Sequence, residues 1–457
     1  MCERLDSVLP FGWSLKTLSD IAIDENGIVD GPFGSNLKVS DYVDDAENGV
    51  PVLTTKNLSG DYSRGTLRYV TKDKYDTLKR STVFPGDILV AKIGSIGKCG
   101  IYPLTQKKAL IPANLLKITL KEEYDRKFVF YYIQSGQFQK LIKSISTATA
   151  QPAFNVTKFR KLPVIIPPLE EQKRIVARIE ELFSELDAAV ATLERTKEQL
   201  AVYRQAVLKE AFSGTFSKHW REENAPSLEK TLEMIINLRR VHKNKSSYTQ
   251  TELIDLPNIP PEWKWISIGD ISKGVEYGTS KKSDKEGLTA VIRMGNIQNG
   301  KIVWDDLVYS NDEEDIVKYQ LKTGDVLFNR TNSPELVGKT AIYNGEQPAI
   351  FAGYLIRLNH FECINSQYLT YYLNGFTAKQ YGNKVKTDGV NQSNINGKKL
   401  CSYPFPLCTI EEQEYIVSEI ESRLSVCEKI EETVNTALQE AEAMRQSILK
   451  QAFAGEL

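Results

Sequence analysis

The sequence predicts an α+β protein in which two similar mixed α/β lobes are separated by two long helices. Two observations carry this prediction. A 45-residue stretch, Leu169 to Ser213, contains neither proline nor glycine and returns almost unchanged as Thr409 to Ala454. The segments that precede the two stretches also repeat one another, element by element. We therefore expect one lobe and one helix, each present twice.

The two long stretches superimpose without a gap at a constant offset of 241 residues, with EEQ near the start of both copies. Apolar residues recur three and four positions apart, which is typical of a coiled-coil seam. At 1.5 Å per residue each helix is expected to be about 65 Å long. The predicted seam consists of Ile175, Ile179, Leu182, Leu186, Ala189, Leu193, Leu200, Tyr203 and Val207 in the first helix, and of Ile416, Ile420, Cys427, Ile430, Val434, Ala437, Ala441, Met444 and Ile448 in the second.

Composition places the chain among ordinary globular proteins. Its 457 residues are enough for about three domains, and 41% hydrophobic with 26% charged residues excludes a disordered or fibrous class. No apolar run approaches the length of a membrane span, and the first residues lack the order of a signal peptide, so we expect a cytoplasmic location. The six scattered cysteines indicate reduced thiols rather than a zinc site.

The net charge of −1 is unevenly divided along the chain. Residues 1–166 carry +6 and residues 259–407 carry +1, whereas the two long stretches carry −2 (167–213) and −7 (408–457). A protein that binds nucleic acid by charge alone is usually more basic. Either the cationic residues lie on one face, or a partner supplies much of the phosphate contact.

Residues 1–166 predict the first lobe, a mixture of short strands, glycine-rich turns and a few helices. Glycine, proline and polar residues mark the turns, and an amphipathic segment near the end is typical of a helix. The predicted elements are a cationic turn at Asp30–Lys38, strands at Val50–Leu58 and Asp87–Gly94, a helix at Lys127–Ile145 and a polar loop at Ser146–Asn155.

Residues 259–407 are predicted to form the second lobe. Residues 214–258 are predicted to form a linker or lobe edge that contains one helix, Leu228–Val241. Segments of the first lobe align with segments of the second: VLTTKNL with VIRMGNI, PGDILVAK with TGDVLFNR, and GKCGIY with GKTAIY. A shared framework with different loops is expected of two recognition modules for different targets. The aligned pairs include Pro10 with Pro260, Trp13 with Trp263, Asp20 with Asp270, Ile21 with Ile271, Asn57 with Asn296, Gly86 and Asp87 with Gly324 and Asp325, and Gln151 with Gln392.

The order of lobe, long helix, lobe and long helix, with the GPFGS, GD-strand and Pro-Pro-EEQ motifs, resembles the DNA specificity subunit of type I restriction-modification enzymes. The resemblance covers essentially the whole chain. It implies target recognition domains at 1–166 and 259–407, each reading one half of a split DNA sequence. It also implies antiparallel spacer helices at 167–213 and 408–457, in a pseudo-twofold arrangement.

The resemblance also implies the partners. Two modification (methyltransferase) subunits dock on the helices, motor-nuclease restriction subunits join that core, and double-stranded DNA is the ligand. The methyl donor and ATP are expected on the partner subunits, and no cofactor is expected in this chain.

The sequence predicts no catalytic site and no metal site. The methyltransferase signature of Asn or Asp, Pro-Pro and an aromatic residue is absent, and Ser333 stands where a phosphate-binding loop before GKT needs glycine. Asp255, Glu262 and Lys264 have the spacing of a nuclease set but lie in a proline-rich boundary, and the three histidines are dispersed. A self-contained nuclease or methyltransferase and a coiled-coil adaptor that never touches DNA remain the alternatives.

Candidate DNA contacts are cationic and amide residues in the glycine-rich turns. Arginine suits guanine, and asparagine or glutamine suits adenine. Each of these side chains could instead be a solvated charge or a turn-forming group. The equivalent positions of Asn57 and Asn296 favour turn formation for both. The candidates are Ser35, Asn36, Lys38, Thr55, Lys56, Lys92, Ser95 and Gln151 in the first lobe, and Tyr277, Thr279, Lys281, Lys282, Arg293, Asn296, Arg330, Asn332 and Gln392 in the second.

Overall fold

The computed structural model describes residues 9–32, 34, 36–147, 152–242, 256–390 and 392–457. The chain forms two compact units, one of residues 1–194 with 435–457 and the other of residues 195–434. Both predicted long helices are present, Leu169–Ala211 with 43 residues and Ile410–Ala454 with 45. Each unit therefore combines a lobe with the first half of one long helix and the last half of the other.

The described part of the first unit contains three sheets. A two-stranded antiparallel sheet leads the chain into the first long helix. The sheets, with strands in spatial order, are Ser14–Thr17 and Pro163–Ile166; Ile28–Asp30, Leu115–Ile118, Ile88–Ala91 and Cys99–Ile101; and Tyr42–Val43, Arg68–Val70, Val50–Val52, Ala109–Leu110 and Thr82–Val83. The helices of this lobe are Leu18–Ile21, Lys72–Thr77, Arg126–Gln134, Gly136–Ser144 and Val156–Arg160.

The second unit is built from the same kinds of element. Its sheets, again in spatial order, are Lys264–Ser267 and Pro404–Leu407; Ser272–Tyr277, Leu355–His360, Val326–Asn329 and Thr340–Ile342; Val308–Ser310, Thr289–Ile292 and Ala349–Phe351; Ile297–Gln298 and Lys301–Ile302; and Thr331–Asn332, Ser393–Asn394 and Thr387–Asp388. Its shorter helices are Lys218–Asn224, Glu229–Val241, Glu313–Tyr319, Ser366–Asn374, Phe376–Val385 and Gly397–Cys401.

The predicted duplication is confirmed at the level of sheet topology. The four-stranded sheets have the same strand order, with the aligned strands Ile88–Ala91 and Val326–Asn329 in the third place. Both strands are buried along their whole length. Each lobe also contains a parallel strand pair, in which Val52 pairs with Leu110 in the first lobe and Ala290 with Ala349 in the second. The repeated sequence therefore specifies a repeated framework.

Two predicted elements of the first lobe differ in the structure. The helix expected at Lys127–Ile145 is divided at Ser135, whose extended backbone ends one helix and whose hydroxyl accepts a hydrogen bond from the backbone of Phe138. The strand expected at Val50–Leu58 ends at Val52 and continues as a 3₁₀ turn. The carboxamide oxygen of Asn57 accepts from the backbone N–H of Thr54 at 2.6 Å, which closes that turn.

The long helices pack antiparallel within each unit. In the first unit, Nη1 of Arg174 donates to the backbone oxygen of Leu457 at 2.9 Å, and Asp187 forms an ion pair with Arg445. In the second unit, Arg204 and Glu431 form an ion pair at 2.7 Å. These helix halves share buried apolar cores with their own lobe.

One aromatic residue near the end of each long helix anchors it to its lobe. The Phe453 ring lies 5.4 Å from Phe128 and 5.0 Å from Tyr132 in the first unit. Its counterpart Phe212 lies 5.1 Å from Tyr368 and 5.3 Å from Tyr372 in the second. The equivalence that the 241-residue offset predicts thus extends to the packing.

The predicted seam is wrong at four positions. Ala189 is exposed, Tyr203 is 47% exposed, Ile430 41% and Met444 55%. The last predicted seam residue of each helix is buried, Val207 in the first and Ile448 in the second, and each lies beside a further buried leucine, Leu208 or Leu449.

The glutamine of each EEQ motif is a buried link between helix and lobe. The carboxamide of Gln172 accepts from the backbone N–H of Asp125 at 2.9 Å and donates to Pro167 at 2.8 Å. Gln413 accepts from Asn365 at 2.9 Å. Each glutamine thus joins the start of a long helix to the N-cap of a lobe helix.

Candidate nucleic-acid interface

Four candidate residues of the second unit lie in one group, which we call the Arg330 cluster: Tyr277, Arg330, Asn332 and Gln392. Tyr277 ends an edge strand, and its ring lies 4.9 Å from the guanidinium of Arg330. Asn332 pairs with Ser393, which directly follows Gln392. The backbone oxygen of Arg330 accepts from the N–H of Ile395 at 2.8 Å, which ties the two segments together.

The Arg330 side chain is positioned from two sides. Its Nη1 donates to the backbone oxygen of Gly353 at 3.2 Å, and the hydroxyl of Tyr277, which lies beside it, accepts from the N–H of Gly397 at 2.8 Å. Nε of Arg330 is buried without a hydrogen-bond partner among the described residues. The guanidinium of arginine is a planar donor that matches a planar acceptor such as the guanine edge.

Asn329, which sequence reasoning missed, lies directly before Arg330. It is fully buried, and neither its carboxamide nitrogen nor its oxygen has a protein partner within the described ranges. The equivalent strand of the first lobe has Ala91 at this position. The sequence did contain a signal for Asn329, since it is a polar residue at the end of an otherwise apolar strand. Buried amides are normally hydrogen-bonded, so an unpaired one calls for an explanation.

The other candidates of the second unit are largely engaged within the protein. Thr279 is buried and its hydroxyl donates to Asp315, while Lys281 forms ion pairs with Asp312 at 2.7 Å and Asp315 at 3.4 Å. The hydrogen bond to Asp312 raises the pKa of Lys281. The charge of Lys281 is therefore stabilised by acidic side chains of the same lobe. Lys282 is exposed.

Arg293 and Asn296 belong to a capped turn. The guanidinium of Arg293 lies 3.1 Å from the carboxylate of Asp306. The carboxamide of Asn296 accepts from the N–H of Arg293 at 2.9 Å and donates to Val303 at 3.0 Å. Asn296 is buried, in the same arrangement as Asn57 in the first lobe.

The described candidates of the first unit differ in burial and in hydrogen-bond partners. Lys92 is buried in an ion pair with Asp30, and the backbone N–H of Lys38 donates to Asp41 at 2.7 Å. Asn36, Lys38, Lys56 and Ser95 are exposed, and Thr55 is half-buried. Ser35 and Gln151 lie outside the described residues.

The two lobes place different chemistry at the same framework position. Lys92 aligns with Arg330 in the sequence. Asp30 is equivalent to Tyr277 because Asp30 pairs with Leu116 and Tyr277 pairs with Ile356, and Leu116 and Ile356 are the second residues of equivalent strands. The first lobe thus has an ion pair where the second has an arginine stacked on a tyrosine. This end of the four-stranded sheet therefore carries different chemistry in the two copies.

Across the described residues, no group of three or more histidine, cysteine or acidic side chains could hold a metal ion. Within the same ranges, no helix combines the length and apolar character that crossing a lipid bilayer requires.

Comparison with known proteins gives a consistent result. Residues 12–199 and 260–440 match the family described as type I restriction modification DNA specificity domain. The chain is 27% identical to the EcoKI specificity subunit of Escherichia coli strain K12, over 98% of this chain and 90% of that protein. It is 24% identical to the StySPI specificity subunit of Salmonella potsdam, with the same coverage.

A solved structure supports the fold. A chain from a study of complex assembly and conformational transition in the type I R-M system superimposes with a TM-score of 0.66 at 17% identity. The superposition covers 98% of this chain and 99% of that one. At this identity the likeness concerns the fold alone.

Proposed function

The chain belongs to the family of type I restriction-modification DNA specificity subunits, and on that premise we propose that each of its lobes reads one half of a split DNA target. The observation that carries this proposal is the contrast at one framework position, Asp30–Lys92 in the first lobe and Tyr277–Arg330 in the second. Two copies of one framework with different side chains at the same edge suit two different half-sites.

We further propose that this chain acts without a catalytic site of its own, in the cytoplasm. Two methyltransferase subunits would dock on the long helices, and motor-nuclease subunits would join them. The acidic character of the helices, −7 over residues 408–457, supports protein rather than DNA contacts there. The methyl donor and ATP would be bound by the partners.

The purified chain is expected to transfer no methyl groups to DNA when it is given the methyl donor alone. Addition of the methyltransferase subunits is expected to start methylation at one sequence, measured with a labelled donor on a library of duplexes. Methylation or cleavage by the chain unaided would favour the self-contained enzyme. A complex that retards all duplexes equally would favour the adaptor.

Arg330→Ala is expected to lose selection at one half-site only. A bidentate arginine–guanine contact contributes about 1–3 kcal/mol of discrimination, or roughly 5- to 150-fold. The measurement is competition binding of the assembled complex to duplexes that vary one half-site at a time. Arg293→Ala serves as the second test of a predicted base contact.

The matched control is Arg68→Ala, which removes an arginine stacked over Tyr42 at 5.0 Å in the first lobe. This control is expected to leave selection by the second lobe unchanged. If Arg330→Ala retains full selection at both half-sites, Arg330 does not read a base.

A further inference from the structure

A cleft on the second lobe brings two lysines together. It has a volume of about 150 Å³ and lies between the Pro334–Lys339 loop and the helix Phe376–Val385. Lys339 comes from the loop and Lys379 from the helix, and Asn383 and Glu335 also line the cleft. None of these residues was among the DNA contacts that the sequence predicted.

The equivalent place in the first lobe is closed by a hydrogen-bonded side chain. Gln139, which follows Tyr132 by seven residues as Lys379 follows Tyr372, donates from Nε2 to the backbone oxygens of Gly97 at 3.0 Å and Ile133 at 2.7 Å. A Cβ atom placed on Gly97 would lie 2.3 Å from Oε1 of Gln139. The glutamine thus fills the space above this glycine.

In the second lobe the same space is open. Gly338, the counterpart of Gly97, has the same left-handed backbone, with φ of 91° against 80°. A Cβ atom on Gly338 would meet nothing nearer than the Phe328 ring at 3.7 Å. In the first lobe, Gln139 fills this space and is hydrogen-bonded within the protein. In the second lobe, Lys379 stands at the equivalent position, and the cleft is open with this lysine at its edge.

The charges of the cleft are only partly balanced. Lys339 donates to the carboxamide oxygen of Gln298 at 3.0 Å, whereas the side-chain ammonium group of Lys379 makes no hydrogen bond or ion pair with any described residue. Burial, and then the neighbouring charge of Lys339, lower the pKa of Lys379. The carboxylate of Glu335 lies at the exposed rim and forms no ion pair with either lysine in the described structure. An anion between two adjacent ammonium groups would relieve their repulsion.

We propose that the cleft formed by Lys339 and Lys379 binds a phosphate oxyanion. Lysine is a compact point charge that suits phosphate oxygens without reading base identity. The phosphodiester backbone of bound DNA is the source that follows from the proposed function, on which this part of the inference rests. The cleft would then fix the second lobe on the duplex while the Arg330 cluster contacts base edges.

The test compares the wild-type complex with a Lys339→Gln, Lys379→Gln double variant, each assembled with the methyltransferase subunits. Affinity for target DNA and for an unrelated duplex is expected to fall by the same factor, on the order of tenfold at 0.1 M salt. The slope of log affinity against log salt concentration is expected to become shallower by about 1. The matched control is Lys98→Gln, because Lys98 is the counterpart of Lys339 and already donates to Ser59 at 2.7 Å.

Titration with inorganic phosphate, followed by calorimetry, distinguishes the two sources of the anion. If the double variant loses phosphate binding but keeps its DNA affinity and salt slope, the cleft binds free phosphate. If the double variant retains both its phosphate binding and its DNA affinity, the cleft proposal is overturned, even when the wild-type complex selects its target. If the wild-type complex selects no sequence, the proposed function fails, and the phosphate titration still decides the cleft.

Discussion

Arg221→Ala is expected to lower the free energy of unfolding by about 3–5 kcal/mol, because it leaves a buried carboxylate without its partner. Arg221 lies in the short helix Lys218–Asn224, and its Nη1 donates to Oε1 of Glu412 at 2.8 Å. The side chain of Glu412 is only 1% exposed, and its second oxygen has no partner among the described residues. Glu412 therefore depends on Arg221 for its charge balance.

The arginine also joins several parts of the second unit. Its guanidinium donates to Ser217 at 2.7 Å and to the backbone oxygen of Gly214 at 2.9 Å, and it lies 5.6 Å from the Trp263 ring. The equivalent glutamate of the first lobe, Glu171, is more exposed and pairs within its own helix with Arg174 at 3.6 Å. The dependence on a separate arginine is thus specific to the second copy.

Urea unfolding of the chain, compared with wild type, measures this effect. Arg178→Ala is the control, because Arg178 forms an exposed pair with Glu181 at 2.6 Å, and exposed pairs contribute less than about 1 kcal/mol. Adding Glu412→Gln to Arg221→Ala is expected to restore part of the loss, because it removes the buried charge. An Arg221→Ala protein no less stable than the Arg178→Ala control would contradict this account.

Insertion of one heptad into each long helix is expected to lengthen the unread gap of the DNA target by roughly three base pairs. Seven helical residues add about 10.5 Å, and one base-pair step is about 3.4 Å. A heptad keeps the seam in phase, so that both helices can still pack. The insertion points are after Glu194 and after Asn435, which are equivalent under the 241-residue offset and lie where the two units divide.

The gap is measured by sequencing the methylated positions in a host that carries the complete system. A seven-residue glycine-serine insertion after Ala225, between two short helices, is the length-matched control and is expected to leave the gap unchanged. Both half-sites are expected to stay as in the wild type. A heptad variant that still methylates with the original spacing would show that the helices do not set the distance.

The duplicated architecture could be predicted from the sequence because the repeat is long and its register is constant. The constant offset aligned both helices, and the alignment of strands such as Ile88–Ala91 with Val326–Asn329 identified the shared framework. The role of the EEQ glutamines could not be predicted. Gln172 accepts its hydrogen bond from Asp125, 47 residues earlier, and only the folded chain brings the two together.

The candidate site was predictable by residue type but not by arrangement. Tyr277 and Arg330 were each predicted as DNA contacts, yet their contact with one another depends on two strands that both pair with Leu355–His360. Charge alone did not reveal that Lys92 is buried against Asp30. The cleft of Lys339 and Lys379 could not be recognised either, because it arises from the loss of a side-chain contact that Gln139 makes in the first lobe.

Sequencing of methylated bases in a host that carries this chain with its partner subunits decides whether the two lobes read separate halves of one DNA sequence. We expect a single motif of two specified segments separated by a fixed number of unspecified base pairs. An uninterrupted motif, or two segments at variable separation, would show that the lobes do not divide one target between them.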